Sequence, residues 1–193
     1  MKILIVSGFL GAGKTTFIKR LARNVDQRFA ILENEYGAAG IDGVRLGQNR
    51  QGTQKNVWEM TEQCICCIGK KDFAASVLTI ANVVDPEYLI VEPTGVGSLA
   101  RIIENLRQIE YERIQLLSPV TIVDVYSYRR YMAEYPELYQ DQIRSADTII
   151  VSKTEACQAE EKQRIQKFLQ EINPQAKIIT DYASTMTWED YQS

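Results

Sequence analysis

The sequence predicts an α/β domain on a doubly wound, mostly parallel sheet with helices on both faces, a three-layer α/β/α arrangement. Short apolar runs recur along the chain, and longer segments with apolar residues near helical spacing lie between them. The runs are continuous rather than alternating, which is typical of strands buried on both faces. This order of elements favours a parallel sheet with crossover helices. The predicted strands are residues 3–7, 29–33, 88–92, 119–125, 148–152 and 177–180.

The helices predicted between these strands all carry apolar residues near helical spacing, at residues 14–25, 72–84, 98–109, 136–146 and 155–172. Residues 36–63 are the exception, because they are rich in glycine and polar side chains, with a candidate short strand at residues 56–60. We interpret the chain as a single domain, residues 1–193, with an inserted region at about 34–69.

The composition excludes several classes of protein. A net charge of −3 offers no electrostatic reason to expect nucleic acid or an anionic membrane as a partner. No apolar run approaches the length of a spanning helix, and the apolar N-terminus lacks the long apolar region of a signal peptide. We therefore expect a cytoplasmic protein, in which cysteines stay reduced and clustered thiols indicate metal or redox chemistry.

A glycine-rich loop follows the first predicted strand and opens the first predicted helix. It reads GFLGAGKT at residues 8–15, a pattern that predicts a phosphate-binding loop in this context. Glycines let successive backbone N–H groups point at phosphate oxygens, and the helix N-terminus adds partial positive charge. Lys14 can reach the β and γ phosphates, and the Thr15 hydroxyl can bind Mg²⁺. A strand–helix turn that binds nothing is the alternative.

An acidic residue closes the third apolar run. Glu92 ends YLIVE, and Gly95 follows three residues later. The Glu92 carboxylate is expected to hold Mg²⁺ through water, and the Gly95 N–H to approach the γ-phosphate; an incidental acid before a helix is the alternative. Val96 stands where some GTPases place a water-orienting glutamine, which predicts slow intrinsic hydrolysis.

The segment SKTE follows the fifth apolar run, as Ser152, Lys153, Thr154 and Glu155. The Lys153 stem can cover a purine ring, and the Glu155 carboxylate can accept from guanine N1–H and N2–H. The usual form is Asn-Lys-x-Asp, so Ser152 lacks the amide that normally ties this loop to the phosphate loop. An ordinary Ser/Thr helix start is the alternative.

Three of the four cysteines lie within four positions, as Cys64, Cys66 and Cys67. Thiolates favour Zn²⁺, Cu⁺ or similar soft ions, and three ligands from one loop leave a position open for a metal that is received and handed on. The chain has no histidine, so any further ligand must be Asp, Glu, water or a partner. A redox pair of Cys64 and Cys67 and an absence of function both stay open. Glu33 and Glu35 are candidate metal-related acids in ENEYGAAGID.

With these residues considered, the chain resembles the CobW/HypB/UreG family of P-loop GTPases, and its CobW branch most closely. The matching pieces are GFLGAGKTT, ENEYG with GID, CICC, VEPTG and SKTE, in family order from residue 8 to 155. The resemblance implies a P-loop fold, GTP or GDP with Mg²⁺, and Zn²⁺, Co²⁺ or Ni²⁺ at the cysteine motif. It implies that the phosphates are bound by Gly8, Gly11, Ala12, Gly13, Lys14, Thr15 and Thr16.

The chain also departs from the family pattern. Gln63 stands where a glycine usually precedes the first cysteine, and Ala38 stands where the family often has a glutamate. The sequence ends where the GTPase domain ends, without the C-terminal CobW domain or a histidine-rich stretch. We therefore expect a target protein to supply what that domain provides elsewhere.

The function expected from this reading is a slow, Mg²⁺-dependent GTPase that acts as a metallochaperone or metal-insertion protein. Its partner would be a client metalloenzyme or a corrinoid protein, and a symmetric homodimer is common among such domains, although the sequence identifies no patch for one. Two alternatives stay open: an activation switch for a corrinoid or methyltransferase partner without metal transfer, and a small-molecule or nucleotide kinase with Arg129 and Arg130 in its lid.

Overall fold

The structure, a computed structural model, describes residues 1–23, 28–33, 59–61 and 70–181. Its strands are β1 (Lys2–Ser7), β2 (Phe29–Glu33), β3 (Glu59–Thr61), β4 (Tyr88–Glu92), β5 (Gln115–Leu116), β6 (Val120–Asp124), β7 (Thr148–Ser152) and β8 (Lys177–Ile179). Its helices are α1 (Lys14–Arg23), α2 (Lys70–Thr79), α3 (Leu99–Arg107), α4 (Tyr128–Glu134), α5 (Pro136–Arg144) and α6 (Ala159–Ile172).

The strands form one parallel sheet in the order β3-β2-β4-β1-β6-β7-β8, which places β1 near the centre. The short strand β5 pairs with the first residues of β1, and β6 pairs with its last residues on the same side. The predicted parallel, doubly wound α/β class is confirmed.

The apolar runs become strands because both sheet faces are covered. Alternate side chains of β1 enter two separate cores, with Ile3 and Ile5 in one and Leu4 and Val6 in the other. Helix α1 packs in the second core through side chains such as Phe17. The first core contains side chains from α2, α3, α4, α5 and α6. The sheet therefore lies between two helical layers.

The predicted strand positions agree with the structure to within one or two residues, whereas some helices differ. Helix α2 ends at Thr79 and continues as a π-helical turn, Ile80–Val84, and the helical segment stops at Asp85, which adopts a left-handed conformation with φ of 45°. Helix α6 begins at Ala159 rather than residue 155. Neither α4 nor β5 was predicted, since both are too short to show a period.

The predicted inserted region at about 34–69 lies outside the described residues, apart from β3. The candidate strand at 56–60 overlaps β3, which pairs with β2 at the edge of the sheet. Among the described helices, none combines the length and the apolar character needed to cross a membrane.

Candidate functional site

The candidate site lies at the carboxyl edge of four adjacent strands. The strands β4, β1, β6 and β7 are neighbours in the sheet, and their last residues are Glu92, Ser7, Asp124 and Ser152. Ligands bind at this edge in doubly wound sheets, because the loops that follow parallel strands meet there. Segments far apart in the sequence are therefore brought together.

The phosphate loop depends on backbone conformations that glycine tolerates. Gly8, Gly11 and Gly13 have φ values of 142°, 73° and 101°. A Cβ on Gly8 would lie 2.5 Å from the carbonyl oxygen of Ile122 in β6. The loop thus packs directly on the neighbouring strand before it turns into α1.

The side chains of Lys14, Thr15 and Glu92 meet at the start of α1. The Lys14 Nζ lies 3.9 Å from the Glu92 Oε1, and both side chains are largely buried. The Thr15 hydroxyl donates to the same carboxylate oxygen at 3.3 Å. A buried cation, a hydroxyl and a carboxylate can together hold phosphate oxygens and a hard cation such as Mg²⁺, whose preferred ligands are oxygen atoms. Thr16 follows on α1 and is exposed.

The loop after β4 rests on the phosphate loop. A Cβ on Gly95 would lie 2.6 Å from the backbone nitrogen of Leu10, so only glycine fits this approach. Val96, the next residue, is exposed. The segment expected to sense the γ-phosphate therefore lies against the segment expected to bind it.

The SKTE segment is joined to the phosphate loop by a side chain. The Ser152 hydroxyl donates to the carbonyl oxygen of Ala12 at 2.6 Å, so the serine makes a tie that the sequence analysis regarded as lost with the amide. Thr154 donates to the carbonyl oxygen of Thr180 at 2.7 Å, which joins the same segment to the end of β8. Glu155 is exposed, as a carboxylate that meets a ligand from solvent would be.

Asp124 is a residue of this site that the sequence analysis missed. Its Oδ2 accepts from Lys153 Nζ at 2.7 Å and from the Ser127 hydroxyl, while its Oδ1 accepts from the Tyr126 N–H at 2.9 Å. Burial alone would raise the Asp124 pKa, but the hydrogen bonds from Lys153, Ser127 and Tyr126 outweigh it and lower the pKa. Asp124 ends a buried strand, as Glu92 does, and this shared position in the sequence could have identified it.

Helices α4 and α5 supply an aromatic support for the phosphate loop, which the sequence analysis also missed. The buried Phe9 ring lies 4.7 Å from the Tyr131 ring and 5.0 Å from the Tyr139 ring, between centroids. The Tyr131 hydroxyl donates to the carbonyl oxygen of Leu10 at 2.9 Å. Burial, followed by the nearby Asp124 charge, raises the pKa of Tyr139, so this phenol stays neutral.

The predicted transition-metal ligands lie largely outside the described ranges, in contrast to the predicted Mg²⁺ residues Thr15 and Glu92. Cys64, Cys66, Cys67 and Glu35 lie outside these ranges, and Glu33 is described only as the last backbone position of β2. In residues 1–23, 28–33, 59–61 and 70–181, no group of three or more His, Cys, Asp or Glu side chains suits a metal ion. Cys157 is a half-buried free thiol.

Solved structures resemble this fold over nearly the whole chain. The Zn(II)-bound YjiA GTPase from Escherichia coli has a TM-score of 0.70 at 22% identity and covers 98% of this chain and 60% of its own. HypB from Helicobacter pylori in complex with nickel has a TM-score of 0.60 at 18% identity, covering 91% of this chain and 76% of its own. At these identities the likeness concerns the fold.

Curated relatives are similar in sequence. The zinc chaperone YeiR of Escherichia coli strain K12 is 30% identical over 178 residues, covering 91% of this chain and 53% of the relative. The zinc chaperone CobW of Pseudomonas aeruginosa is 27% identical over 194 residues, covering 86% and 52%. The chain spans about half the length of these relatives. A family model, CobW/HypB/UreG nucleotide-binding domain, matches residues 2–180, and the chain belongs to the CobW/HypB/UreG family.

Proposed function

We propose that this domain binds GTP with Mg²⁺, hydrolyses it slowly, and couples its nucleotide state to a transition metal held by the cysteine motif. The observation that carries the proposal is the meeting of Lys14, Thr15 and Glu92 at the mouth of the glycine loop. A lysine this deeply buried beside a carboxylate and a hydroxyl is suited to a polyphosphate that enters with its own cation.

The phosphate end of the site has a role for each of these groups. The loop backbone from Gly8 to Thr16 cradles the phosphates, and Lys14 neutralises charge on the β and γ phosphates. Thr15 and Glu92 fit Mg²⁺ through their oxygen atoms, with the carboxylate acting through water. Bound Mg²⁺ would neutralise charge that develops on the phosphates. Gly95 offers its N–H to the γ-phosphate.

The base end selects guanine. The stem of Lys153 covers the purine, and Glu155 accepts from its N1–H and N2–H groups. Support comes from the left-handed conformation of Lys153, with φ of 61°, and from the ion pair with Asp124 that fixes its ammonium group. The exposed Val96 offers no group to orient water, which favours slow hydrolysis.

The metal is the cargo, and Cys64, Cys66 and Cys67 bind it, with Glu33 as a further candidate ligand. The sheet provides a short route from this motif to the nucleotide. Glu33 in β2 pairs in register with Glu92 on one side and with Thr61 of β3 on the other, and Cys64 follows Thr61 by three residues. The thiolates select Zn²⁺, Co²⁺ or Ni²⁺ over Mg²⁺. The names of YeiR and CobW as zinc chaperones favour Zn²⁺ and a client metalloenzyme as the recipient.

The coupling is a two-state switch. The γ-phosphate engages the segments at residues 33–40 and 92–97, and this changes the arrangement of the thiolates. Hydrolysis then releases the metal or the partner. A ligand shifts such an equilibrium only by its differential affinity for the two states, so metal affinity must differ between the GTP and GDP forms.

The test is equilibrium binding of Zn²⁺ and Co²⁺ to the reduced protein with GDP, with a non-hydrolysable GTP analogue, and without nucleotide. We expect Co²⁺–thiolate absorption that differs between the two nucleotides and disappears in Cys66→Ser. Cys157→Ser is the matched control, since this thiol lies outside the motif and should leave the spectrum unchanged. GTP hydrolysis is measured on the same samples.

Tight metal binding with the same affinity in every nucleotide state would overturn the coupling, and the protein would still be a metal-binding GTPase. Absence of tight metal binding in every nucleotide state would overturn the chaperone function. Absence of guanine nucleotide binding would overturn the proposal as a whole.

A further inference from the structure

We propose that Gln142 is a positioning residue that holds the loop after β4 in the orientation required by the γ-phosphate. The inference rests on the proposed function, because it takes Gly95 to be the group that meets the γ-phosphate. Gln142 lies on α5, and the hydrogen bonds that the described residues show for its side chain go to the loop after β4.

The Gln142 side chain anchors two peptide groups of this loop at once. Its Nε2 donates to the carbonyl oxygen of Gly95 at 3.1 Å and to that of Gly97 at 3.0 Å. The Gly97 N–H in turn donates to the carbonyl oxygen of Thr94 at 3.0 Å, which closes a tight turn. Since a peptide group is planar, holding the Thr94 carbonyl oxygen also fixes the direction of the Gly95 N–H, which shares its plane. The two bonds from Gln142 hold the next peptide group, through the Gly95 carbonyl oxygen, and the one after Gly97. Residues 94–98 therefore have little freedom to rotate.

The burial of Gln142 indicates that its amide group is retained for the two hydrogen bonds donated by Nε2. The residue is 1% exposed, and its Oε1 has no hydrogen-bond partner in the described part of the chain. A buried acceptor without a partner is costly, so an apolar side chain of similar size would suit packing better. The two bonds from Nε2 offset this cost.

The anchor is itself fixed from two directions. Thr121 in β6 donates from its hydroxyl to the backbone carbonyl oxygen of Gln142 at 2.9 Å, which holds α5 to the sheet. The neighbouring Asp141 accepts the N–H of Leu99 at 2.7 Å and so caps the first turn of α3. Gln142 thus holds the middle of the loop after β4, and its neighbour Asp141 holds the end of that loop, where α3 begins.

The helical pair α4–α5 also supports the phosphate loop. Tyr131 donates to the Leu10 carbonyl oxygen, and the Phe9 ring packs between aromatic side chains of both helices. Gly95 lies against the Leu10 nitrogen, so both loops share one support. Their relative position is therefore set before a nucleotide arrives.

Holding the loop after β4 in place in advance raises the affinity only of a ligand that contacts this loop. A nucleoside diphosphate contacts the phosphate loop and the base segment, whereas a triphosphate must in addition meet Gly95. Loss of the Gln142 anchor leaves the loop to be ordered at the moment of binding, and that cost reduces triphosphate affinity alone. The expected signature is a change in selectivity between GTP and GDP.

The experiment compares affinities of wild-type protein and variants for GDP and for a non-hydrolysable GTP analogue in the presence of Mg²⁺. Gln142→Met removes both donors at similar size, and we expect the ratio of analogue to GDP affinity to fall about tenfold, as expected from the loss of two neutral hydrogen bonds. Gln142→Glu keeps the shape, but its ionised carboxylate cannot donate and would face two carbonyl oxygens, so we expect a fall at least as large. The Gln142→Glu variant also tests the positioning role if Gln142→Met does not fold.

Thr121→Val is the matched control. It removes a buried hydrogen bond to the same residue of α5 but leaves the Gln142 side chain in place. We expect lower thermal stability and little change in the affinity ratio, because the buried side chains of Tyr139 and Ile143 still hold α5 in place. An unchanged ratio in folded Gln142→Glu and Gln142→Met, or an equal fall in Thr121→Val, would overturn the positioning role. Failure of the wild-type protein to bind either nucleotide would instead overturn the proposed function.

Discussion

The two ends of the candidate site each contain a lysine paired with a carboxylate at the end of a neighbouring strand, but they differ in burial and contact. Lys14 is 9% exposed and stands 3.9 Å from Glu92, whereas Lys153 is 47% exposed and donates to Asp124 at 2.7 Å. The lysine of the phosphate end is thus buried and farther from its carboxylate, whereas the lysine of the base end is half exposed and bonded directly to its carboxylate.

The difference indicates different tasks. The charge of a buried ammonium acts strongly on a ligand, because little water screens it. Water screens an exposed ammonium, so its charge adds little to the affinity for a ligand. Its tight ion pair instead fixes the direction of the aliphatic stem. We therefore expect the phosphate end to supply most of the affinity and the base end to supply selectivity.

The largest expected effect sharpens this comparison. Lys14→Met should reduce the affinity for GTP and GDP on the order of 10³-fold, about 4 kcal/mol, because it removes a buried cation and leaves Glu92 facing the phosphates. Isothermal titration measures the loss. Lys19→Met, a half-buried position on the same helix, is the control and should change affinity little. Comparable losses in both variants would contradict the phosphate role of Lys14.

The second effect concerns the stability of the phosphate end. Gly8→Ala should lower the free energy of unfolding by about 3 kcal/mol, because the added Cβ would press on the Ile122 carbonyl oxygen of β6. Gly11→Ala should cost about 1 kcal/mol, since its φ is also positive but no atom lies within 4 Å of the new Cβ. Urea unfolding of both variants distinguishes the two, and equal losses would mean that the close approach to β6 relaxes.

The third effect concerns the base end. Asp124→Asn removes the charge that holds Lys153 and should lower GTP and GDP affinity alike, by about threefold, since the lysine is half exposed. Discrimination between guanine and adenine nucleotides should fall with it. Asp85→Asn breaks an exposed ion pair with Arg113 elsewhere and is the control. A loss confined to GTP would place Asp124 with the γ-phosphate groups instead.

The smallest effect is a dependence of stability on pH. The folded-state pKa of Asp124 lies below its ordinary value of 3.8, so its charge contributes stability that is present above pH 3.8 and is lost as the pH falls below it. The stability advantage of the wild-type protein over Asp124→Asn should therefore shrink below pH 3.8. Urea unfolding across pH 3 to 6 measures this, and a constant difference would contradict the ion pair.

The glycine loop and Lys14 lie within eight residues, and their role in binding phosphate stays a prediction. Prediction from sequence succeeded where the signal was contiguous, since continuous apolar runs marked the strands. It failed where the partner is distant in sequence: Ser152 and Ala12 are 140 residues apart, and Gln142 and Gly95 are 47 apart. No local pattern in PELYQDQIR distinguishes Gln142 from an exposed glutamine of an amphipathic helix.

By itself, the sequence determined the class of sheet and the strand positions, and it predicted where a phosphate loop would lie, because periodicity and glycine placement are local properties of the chain. The tertiary structure decided which carboxylate faces which lysine, how Ser152 replaces the missing amide, and which helix anchors Gly95. The order of the strands in the sheet brings their carboxyl ends together, and that order depends on the packing of helices against both faces rather than on any single segment.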